Sequence, residues 1–328
     1  MTDVFRPPAP APADRVAWPE SFGTRFVVFV DTEEEFDWNR PLARENRSVE
    51  AIAALPQAHA RFAASGVPLA LMVDHPVATD PRAIDTIGPL LTRGTAVGTQ
   101  LHPWVNPPFD EELSPANSFA GNLPREMEAA KLDALTDAIA AAFGTRPTSY
   151  RAGRYGLGPA SFELLASRGY RLDSSMRPGF DYAEEGGPDF SALDNRAFRI
   201  GGIIELPLTT VFTGAARSGG IGLYRAGGAI PKGRGVLARL RLLQRIPLTP
   251  EGIPVREAIE AVRVAVGEGL RVLSFAFHSP SLAPGHTPYV RDEAELRAFW
   301  SWWDAVLAEL DRLGAKPAGL DEVIAAAE

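Results

Sequence analysis

The fold of this chain is decided by the stretch Phe26-Val-Val-Phe-Val-Asp31-Thr-Glu-Glu-Glu-Phe-Asp37-Trp38. An apolar run of five residues leads directly into five carboxylates within seven positions. A short apolar run bounded by polar residues is typical of a strand buried on both faces of a parallel sheet. Catalytic groups in such folds gather beyond the carboxyl ends of the strands, where Asp31 would lie. The stretch therefore predicts a functional strand end, whose charge must be offset by a cation, an arginine or solvent.

Similar apolar runs recur along the chain and alternate with helical patterns. Strands are predicted at 26–30, 69–73, 96–101, 149–150, 170–173, 203–206 and 272–277. Helices are predicted at 81–92, 124–143, 159–168, 253–267 and 292–313. Alternation of this kind indicates parallel βαβ units. We predict an α/β fold with a barrel-like parallel sheet in a single domain over 21–328, preceded by a flexible proline- and alanine-rich arm over 1–20.

Composition narrows the classes of function. The formal net charge is −8, and no basic stripe resembles a nucleic-acid footprint. The chain has no cysteine, which excludes disulfides, thiolate metal sites and cysteine nucleophiles. No apolar run approaches the ~20 residues that cross a bilayer, and the N-terminal residues lack the basic-then-apolar order of a signal peptide. We expect a cytoplasmic protein that binds neither nucleic acid nor membrane, and its oligomeric state is left open.

Polar side chains follow most of the predicted strands. They are Asp31, Glu33, Asp74, His75, Gln100, His102, Arg151, Asp173, Glu205 and His278. Because parallel strand ends meet at one rim, we expect several of these groups to converge there. Carboxylates and imidazoles that converge can bind a divalent metal such as zinc, which would also explain why an acidic cluster is tolerated.

Several other charged residues are expected to be structural. We expect Glu34, Glu35 and Asp37 to be solvated or to pair with local arginines such as Arg40 and Arg44. His59 is placed in the core and His286 in a loop hydrogen bond.

Five motifs give the chain a resemblance to a known family. They are Val30-Asp-Thr-Glu-Glu-Glu-Phe-Asp-Trp38, Gly98-Thr-Gln-Leu-His-Pro-Trp104, Tyr150-Arg-Ala-Gly-Arg-Tyr-Gly156, Asp173-Ser-Ser175 and Phe275-Ala-Phe-His-Ser-Pro-Ser-Leu282. In this order, over about residues 24–290, the chain resembles the NodB-homology polysaccharide deacetylases of carbohydrate esterase family 4, and within them the WalW-like branch. The resemblance implies a distorted (β/α) barrel of about seven parallel strands. It also implies hydrolysis of an N- or O-acetyl group of a carbohydrate by metal-activated water.

The resemblance also assigns catalytic roles by position. Asp31 would be the general base and His278 the general acid. Arg151 would hold Asp31 ionised through a charge-assisted pair. The implied cofactor is a divalent metal, zinc in our prediction, with Glu33 and His102 as ligands.

Three further residues are assigned to substrate binding, namely Trp104, Arg154 and Tyr155. Trp104 and Tyr155 could either stack on a sugar face or pack within the protein. Arg154 could either contact substrate or pair with a surface acid.

Two positions depart from the family pattern. Thr32 stands where the family has a second aspartate, so Glu33, which shares the side-chain direction of Asp31, takes that role. Gln100 stands where the family has a histidine, and an amide oxygen is a poorer zinc ligand than imidazole. His75, at the end of the second strand, could supply a substitute ligand, although a structural role is favoured for it.

These departures leave three functions open. The first is a metal-dependent hydrolase of an acetylated carbohydrate. The second is a carbohydrate-binding or regulatory barrel that has lost its metal and its catalysis. The third is a hydrolase of a small non-sugar amide. The motifs do not specify the sugar or the amide.

Overall fold

The structure, a computed structural model, describes residues 4–37, 40–91 and 94–328. Trp38 of the opening motif and residues 1–3 of the predicted arm lie outside the described residues. The strands are β1 (Arg25–Thr32), β2 (Leu69–Val73), β3 (Ala96–Leu101), β4 (Ser149–Ala152), β5 (Leu172–Asp173), β6 (Phe198–Ile200), β7 (Ile203–Glu205), β8 (Thr210–Thr213), β9 (Gln244–Pro247), β10 (Val272–His278) and β11 (Lys316–Pro317). The α-helices are α1 (Leu55–Ala64), α2 (His75–Thr79), α3 (Pro81–Ile87), α4 (Arg125–Phe143), α5 (Ser161–Ser167), α6 (Gly220–Gly228), α7 (Gly233–Arg239), α8 (Val255–Gly267), α9 (Glu293–Arg312) and α10 (Leu320–Ala327).

The main sheet has the strand order β10-β1-β2-β3-β4-β5-β7-β6, with β11 paired to β1. Seven consecutive strands of this order, from β10 to β7, pair in parallel, and β6 joins β7 in antiparallel fashion. The sheet curls into a half-barrel with helices between its strands. The predicted α/β barrel of about seven parallel strands is confirmed.

Strand β1 is buried on both faces, as its continuous apolar run predicts. Phe26, Val28 and Val30 pack into a core that includes residues of the surrounding helices. Val27 and Phe29 point to the other face, where a second core also contains residues of α10. Because side chains alternate along a strand, Asp31 continues the Val27 and Phe29 face and emerges at the end of the barrel interior. The alternation thus places the first acid of the opening stretch at the rim.

The barrel is left open beyond β10, and a separate two-stranded sheet, whose strands are joined by a connection containing α6 and α7, covers that edge. Strands β8 and β9 form a two-stranded antiparallel sheet. The backbone N–H of Ser274 in β10 donates to Thr209 Oγ1 (2.8 Å), and that of Ala276 donates to Leu248 O (3.2 Å). The residues flanking this two-stranded sheet therefore accept hydrogen bonds from backbone N–H groups of β10 on the side where a further barrel strand would otherwise pair.

The described part of the N-terminal segment lies against the barrel. Arg15 pairs with Asp194 (2.8 Å), the Val16 N–H donates to Ala197 O (3.0 Å), and the Asp189 N–H donates to Phe5 O (3.0 Å). The flexibility of this segment and the domain boundary at residue 20 stay predictions. Among the described residues, no helix is both long and apolar enough to cross a membrane.

A buried acid in α4 makes stability depend on pH. Glu128 is 3% exposed and accepts a hydrogen bond from Ser161 Oγ (2.5 Å). Burial raises its pKa from 4.5 to about 7, despite opposing effects of Ser161, Arg125 and Arg168. The unfolded chain releases this proton near its ordinary pKa and the folded chain near 7, so the free energy of unfolding falls as pH rises between these values.

We expect Glu128→Gln to raise the free energy of unfolding by roughly 2–3 kcal/mol at pH 8 and by less than about 1 kcal/mol at pH 5. Urea unfolding at the two pH values measures both. Glu163→Gln is the control, because Glu163 forms an exposed pair with Arg125. An equal gain at both pH values for Glu128→Gln would contradict the account.

Candidate active site

The carboxyl ends of the parallel strands surround a pocket of about 770 Å³. All eight residues predicted to form the site line this pocket: Asp31, Glu33, His102, Trp104, Arg151, Arg154, Tyr155 and His278. Gln100 and Glu251 line it as well. The structure therefore brings together side chains that are up to about 250 residues apart in sequence.

Asp31 and Arg151 form a buried ion pair at the base of the pocket. Nη1 of Arg151 donates to Asp31 Oδ1, and Nε donates to Ser174 O (3.0 Å). The guanidinium lies over the ring of Phe29, 4.4 Å from its centroid. Arg151 is 1% exposed, so both ions are held where water screens them little. The second oxygen of Asp31 is left to face His278, whose Nε2 lies 3.8 Å away.

His278 is held by Glu251, a residue that the sequence did not single out. Nδ1 of His278 lies 2.7 Å from Glu251 Oε2, and its backbone N–H donates to Oε1 (3.1 Å). Ser281 Oγ also donates to Oε1 (2.5 Å). Burial by itself would lower the pKa of His278, but Glu251, Glu33 and Asp31 outweigh it and raise the pKa well above its ordinary value. The neighbouring acids thus favour the charged form of His278, whose Nε2 faces Asp31.

Glu251→Gln should lower the pKa of His278 by about one unit or more, because it removes the nearest negative charge and keeps an oxygen acceptor. An NMR titration measures this directly, and the other four of the five histidines act as internal references. An unchanged His278 pKa would show that Glu251 does not set the charge of this imidazole.

Glu33, Gln100 and His102 form a second group on the pocket wall. Gln100 Nε2 donates to Glu33 Oε2 (3.0 Å), and His102 Nε2 lies 3.6 Å from the same oxygen. Gln100 Oε1 is buried and has no hydrogen-bond partner within the described chain. Burial raises the pKa of Glu33 to about 8, with His278 and His102 opposing the shift. A carboxyl group with so high a pKa indicates that a nearby positive charge would be favourable.

Glu34 lies behind this group, and the expectation that it is solvated or paired with an arginine is wrong. Glu34 is fully buried and contacts His102 Nδ1 (2.7 Å) through Oε2. Its Oε1 accepts from Trp104 Nε1 (2.7 Å), and its backbone N–H donates to Asp74 Oδ2 (2.6 Å). Burial raises the pKa of both Glu34 and Asp74, the latter strongly, because the two acids also adjoin one another.

Two sets of residues could therefore hold a metal, and both include His102. Glu34, Asp74 and His102 each offer a ligand atom, and these atoms lie within 4.8 Å of one another. However, the acids of this set already accept hydrogen bonds from Trp104, Val77 and backbone groups. A histidine that gives its Nδ1 proton to a carboxylate presents Nε2 to a metal on the other side.

The pocket-facing set that could hold a metal consists of Glu33, His102 Nε2 and Gln100 Oε1, which has no hydrogen-bond partner within the described chain. Glu34 then orients His102. These donors fit a divalent cation, since they combine a carboxylate, an imidazole and an amide oxygen.

Trp104 and Gly153 position His102. The indole stacks on the imidazole at 4.4 Å between ring centroids with 22° between planes, and it is 1% exposed. A Cβ on Gly153 would lie 2.2 Å from His102 Cδ2 and 2.6 Å from Leu101 O. Trp104 thus packs inside the protein as well as lining the pocket, and its contact with a sugar stays a prediction. Gly153 is required because any larger residue would displace the imidazole.

Arg154 and Tyr155 lie on the far side of Gly153 and enter the pocket from a strained turn. Both have positive φ angles, 52° and 62°. Arg154 pairs with Glu185 (2.6 Å) and Tyr155 stacks on Tyr182 (5.3 Å between centroids). The roles predicted for them in substrate binding stay predictions.

Among the remaining acids and histidines, Asp37, Glu35 and His59 have structural partners. Asp37 pairs with Arg40 (3.3 Å) as expected, and Glu35 lies 3.2 Å from His286 Nδ1. His59 is only half-buried and its Nε2 lies 3.0 Å from Thr95 Oγ1. His75 begins α2, does not line the pocket and is outside the group of Glu34, Asp74 and His102. Burial lowers its pKa to about 4.

Comparison of the sequence with protein-family models and with curated proteins finds no match. Solved structures, by contrast, share the fold. A Mycobacterium smegmatis protein assigned as a polysaccharide deacetylase has 14% identity and a TM-score of 0.55, with coverage of 98% of this chain and 94% of that chain. The 4-alpha-glucanotransferase of Thermococcus litoralis has 12% identity and a TM-score of 0.52, with coverage of 92% of this chain and 40% of that chain. A branching enzyme of the GH57 type from Thermococcus kodakaraensis has 14% identity and a TM-score of 0.51, with coverage of 93% and 71%.

These similarities establish the fold and no more. The same half-barrel occurs in a protein assigned as a deacetylase, in a 4-alpha-glucanotransferase and in a branching enzyme. Since one fold hosts several reactions, the function of this chain must be argued from its own side chains.

Proposed function

We propose that the chain is a hydrolase that removes an N- or O-acetyl group from a carbohydrate, in the manner of the polysaccharide deacetylases and their WalW-like branch. The observation that supports this proposal most directly is the arrangement of Asp31 and His278 across 3.8 Å at the floor of the pocket. Each has its own buried partner, Arg151 for the acid and Glu251 for the imidazole. A carboxylate and an imidazolium that face one pocket provide a base and an acid for one reaction.

The two groups divide the proton transfers of an acyl hydrolysis. Asp31 accepts the proton of the attacking water through Oδ2, because Oδ1 is occupied by Arg151. His278 gives its Nε2 proton to the departing amine or alkoxide, and Glu251 stabilises the imidazolium until that step. No nucleophilic side chain is needed, in agreement with the absence of cysteine.

A divalent cation, zinc in our proposal, would be held by Glu33, His102 and Gln100 and would polarise the acyl oxygen and make water more acidic. Glu34 keeps the Nε2 atom of His102 turned towards the pocket. Phe36, whose ring lies 6.1 Å from that of Trp104, also lines this wall of the pocket.

Metal content is the first test of the ligand set. We expect the purified chain to bind one zinc ion per chain after supplementation, with the ion lost on addition of a chelator. Gln100→His should lower the dissociation constant for zinc by about tenfold or more, because imidazole replaces a weak amide ligand. Elemental analysis and anomalous scattering at the zinc edge measure occupancy and position. His286→Gln is the control, since His286 does not line the pocket.

A metal-free carbohydrate-binding or regulatory protein is the second candidate, and Gln100 favours it. Its Nε2 donates to Glu33 Oε2, which occupies a would-be ligand oxygen. Absence of bound metal at every supplementation, with sugar binding retained, would favour this candidate.

The substrate class and the cellular location are tested by separate experiments. Acetate release from acetylated glycans and from small amides compared side by side separates a carbohydrate deacetylase from the third possibility, a small-amide hydrolase. A cytoplasmic location stays a prediction, which fractionation of cells that produce the protein would test.

A further inference from the structure

One wall of the pocket is built from tyrosines and an arginine that the proposed chemistry does not use. Arg177, Tyr155 and Tyr182 all line the pocket. Nη1 of Arg177 donates to Tyr155 Oη (3.3 Å) and to Tyr182 Oη (3.4 Å). The guanidinium also lies over the ring of Phe180, 4.0 Å from its centroid, and 5.1 Å from that of Tyr155. These rings hold the guanidinium in place before any ligand arrives.

The charge of Arg177 has no carboxylate partner, in contrast to the other arginines of the pocket. Arg151 is paired with Asp31, and Arg154 with Glu185. Within residues 4–37, 40–91 and 94–328, no carboxylate oxygen lies within 4.0 Å of the Arg177 guanidinium. Arg177 is half-buried. An ion that is partly removed from water without a counterion is unfavourable, and a bound anion would relieve that cost.

A second guanidinium strengthens the positive potential at this wall. Arg245 lies 3.4 Å from the centroid of the same Phe180 ring and donates to Gly179 O (2.5 Å). It too lacks a carboxylate within 4.0 Å in the described chain. Two like charges that share one aromatic ring repel each other, and the repulsion is strong where water is partly excluded. An anion at the pocket wall would offset both.

The tyrosine hydroxyls complete a set of donors. Because Tyr155 and Tyr182 accept hydrogen bonds from Arg177, their own hydroxyl protons are available to a ligand oxygen. A guanidinium flanked by two O–H donors matches the oxygens of a phosphate or a carboxylate. The positive φ angles of Arg154 and Tyr155 fit this role, since strain of about 1 kcal/mol or more per residue is typically retained where side chains must be aimed at a ligand.

We propose that Arg177, with the hydroxyls of Tyr155 and Tyr182, binds an anionic group of the substrate. The acylated carbohydrate therefore carries a phosphate or a carboxylate. The identity of the ligand as an acylated carbohydrate rests on the proposed function, whereas the anion site rests on the contacts of Arg177 alone.

Calorimetric titration of the full chain with three probes tests this. The probes are N-acetylglucosamine, which is neutral, N-acetylglucosamine 1-phosphate, and N-acetylmuramic acid, which has a carboxylate. We expect at least one anionic probe to bind about tenfold or more tightly than the neutral sugar, and the tighter of the two identifies the anionic group. Arg177→Gln should bring the three affinities within about threefold of one another. Arg125→Gln, at an exposed pair with Glu163, should leave them unchanged.

Tyr182→Phe is the milder second variant, for use if Arg177→Gln does not fold as judged by circular dichroism. It removes one donor and keeps the ring, and we expect about three- to tenfold weaker binding of the anionic probe only. Equal affinities for all probes in the wild type, or an anionic preference that survives both substitutions, would overturn the proposal. The second result would locate the anion elsewhere, for example at a metal.

Acetate release from the same probes is measured in parallel and decides a different question. Anion-selective binding without acetate release would retain the anion site and reject the hydrolase. Acetate release from the neutral sugar, with no preference for an anionic probe, would retain the hydrolase and reject the anion site.

Discussion

Asp31→Asn is expected to reduce the turnover number for acetate release by about 10³-fold or more while the chain remains folded. A loss of this size is expected from removing the carboxylate that accepts the proton of the attacking water. The turnover number is measured with an acetylated sugar under zinc supplementation, and folding by circular dichroism. We also expect a stability loss of about 3 kcal/mol, because the variant leaves the buried Arg151 guanidinium without its anion.

The matched control is Asp37→Asn in the same acidic stretch. Asp37 pairs with Arg40 and does not line the pocket, so this variant should keep full activity. Wild-type turnover in Asp31→Asn would eliminate Asp31 as the base, and an equal loss in both variants would point to the charge of the whole stretch instead.

His278→Ala should reduce turnover by about 10²- to 10⁴-fold on an acetamido sugar, because an amine cannot leave without a proton. The loss should be far smaller on an aryl acetate, whose phenolate departs unaided. The ratio of the two losses isolates proton donation from simple damage to the site. Similar losses on both substrates would assign His278 to binding or structure, and His286→Gln is the control for removing a loop histidine.

Much of the fold could be predicted because its signals are local. The apolar runs of β2 and β3 are bounded by turn residues, and both strands begin and end where the sequence indicates. Helix α10 is only eight residues long and was not predicted, although its buried residues Leu320, Val323, Ile324 and Ala327 follow helical spacing. Strands β8 and β9 are joined by a long glycine-rich segment without clear periodicity. Their pairing therefore depends on contacts between distant residues.

Some residues of the candidate site could also be predicted from local patterns, and others could not. Residues at the ends of predicted strands, such as Asp31, Arg151 and His278, could be grouped because parallel strand ends meet at one rim. Glu34 was misjudged because a run of three glutamates resembles a solvated face, although strand alternation turns Glu34 away from Glu33 and into the protein. Glu251 sits in a loop after β9 with no motif around it, and only the folded chain shows that it reaches His278.

The two-stranded β8–β9 sheet, which covers the open edge of the barrel, also supports one half of the proposed site. Asp31 and Arg151 belong to β1 and β4 of the main sheet, whereas Glu251 reaches His278 from the connection that follows β9. That connection is held to β10 by the Ala276 N–H, which donates to Leu248 O, rather than by a shared ladder of β-strands, and Thr209, just before β8, accepts from the Ser274 N–H. The base and its arginine thus depend on the main sheet alone, whereas the partner of the acid comes from residues outside that sheet. A substitution that detaches this edge would therefore leave the Asp31–Arg151 pair in place and separate His278 from the carboxylate of Glu251.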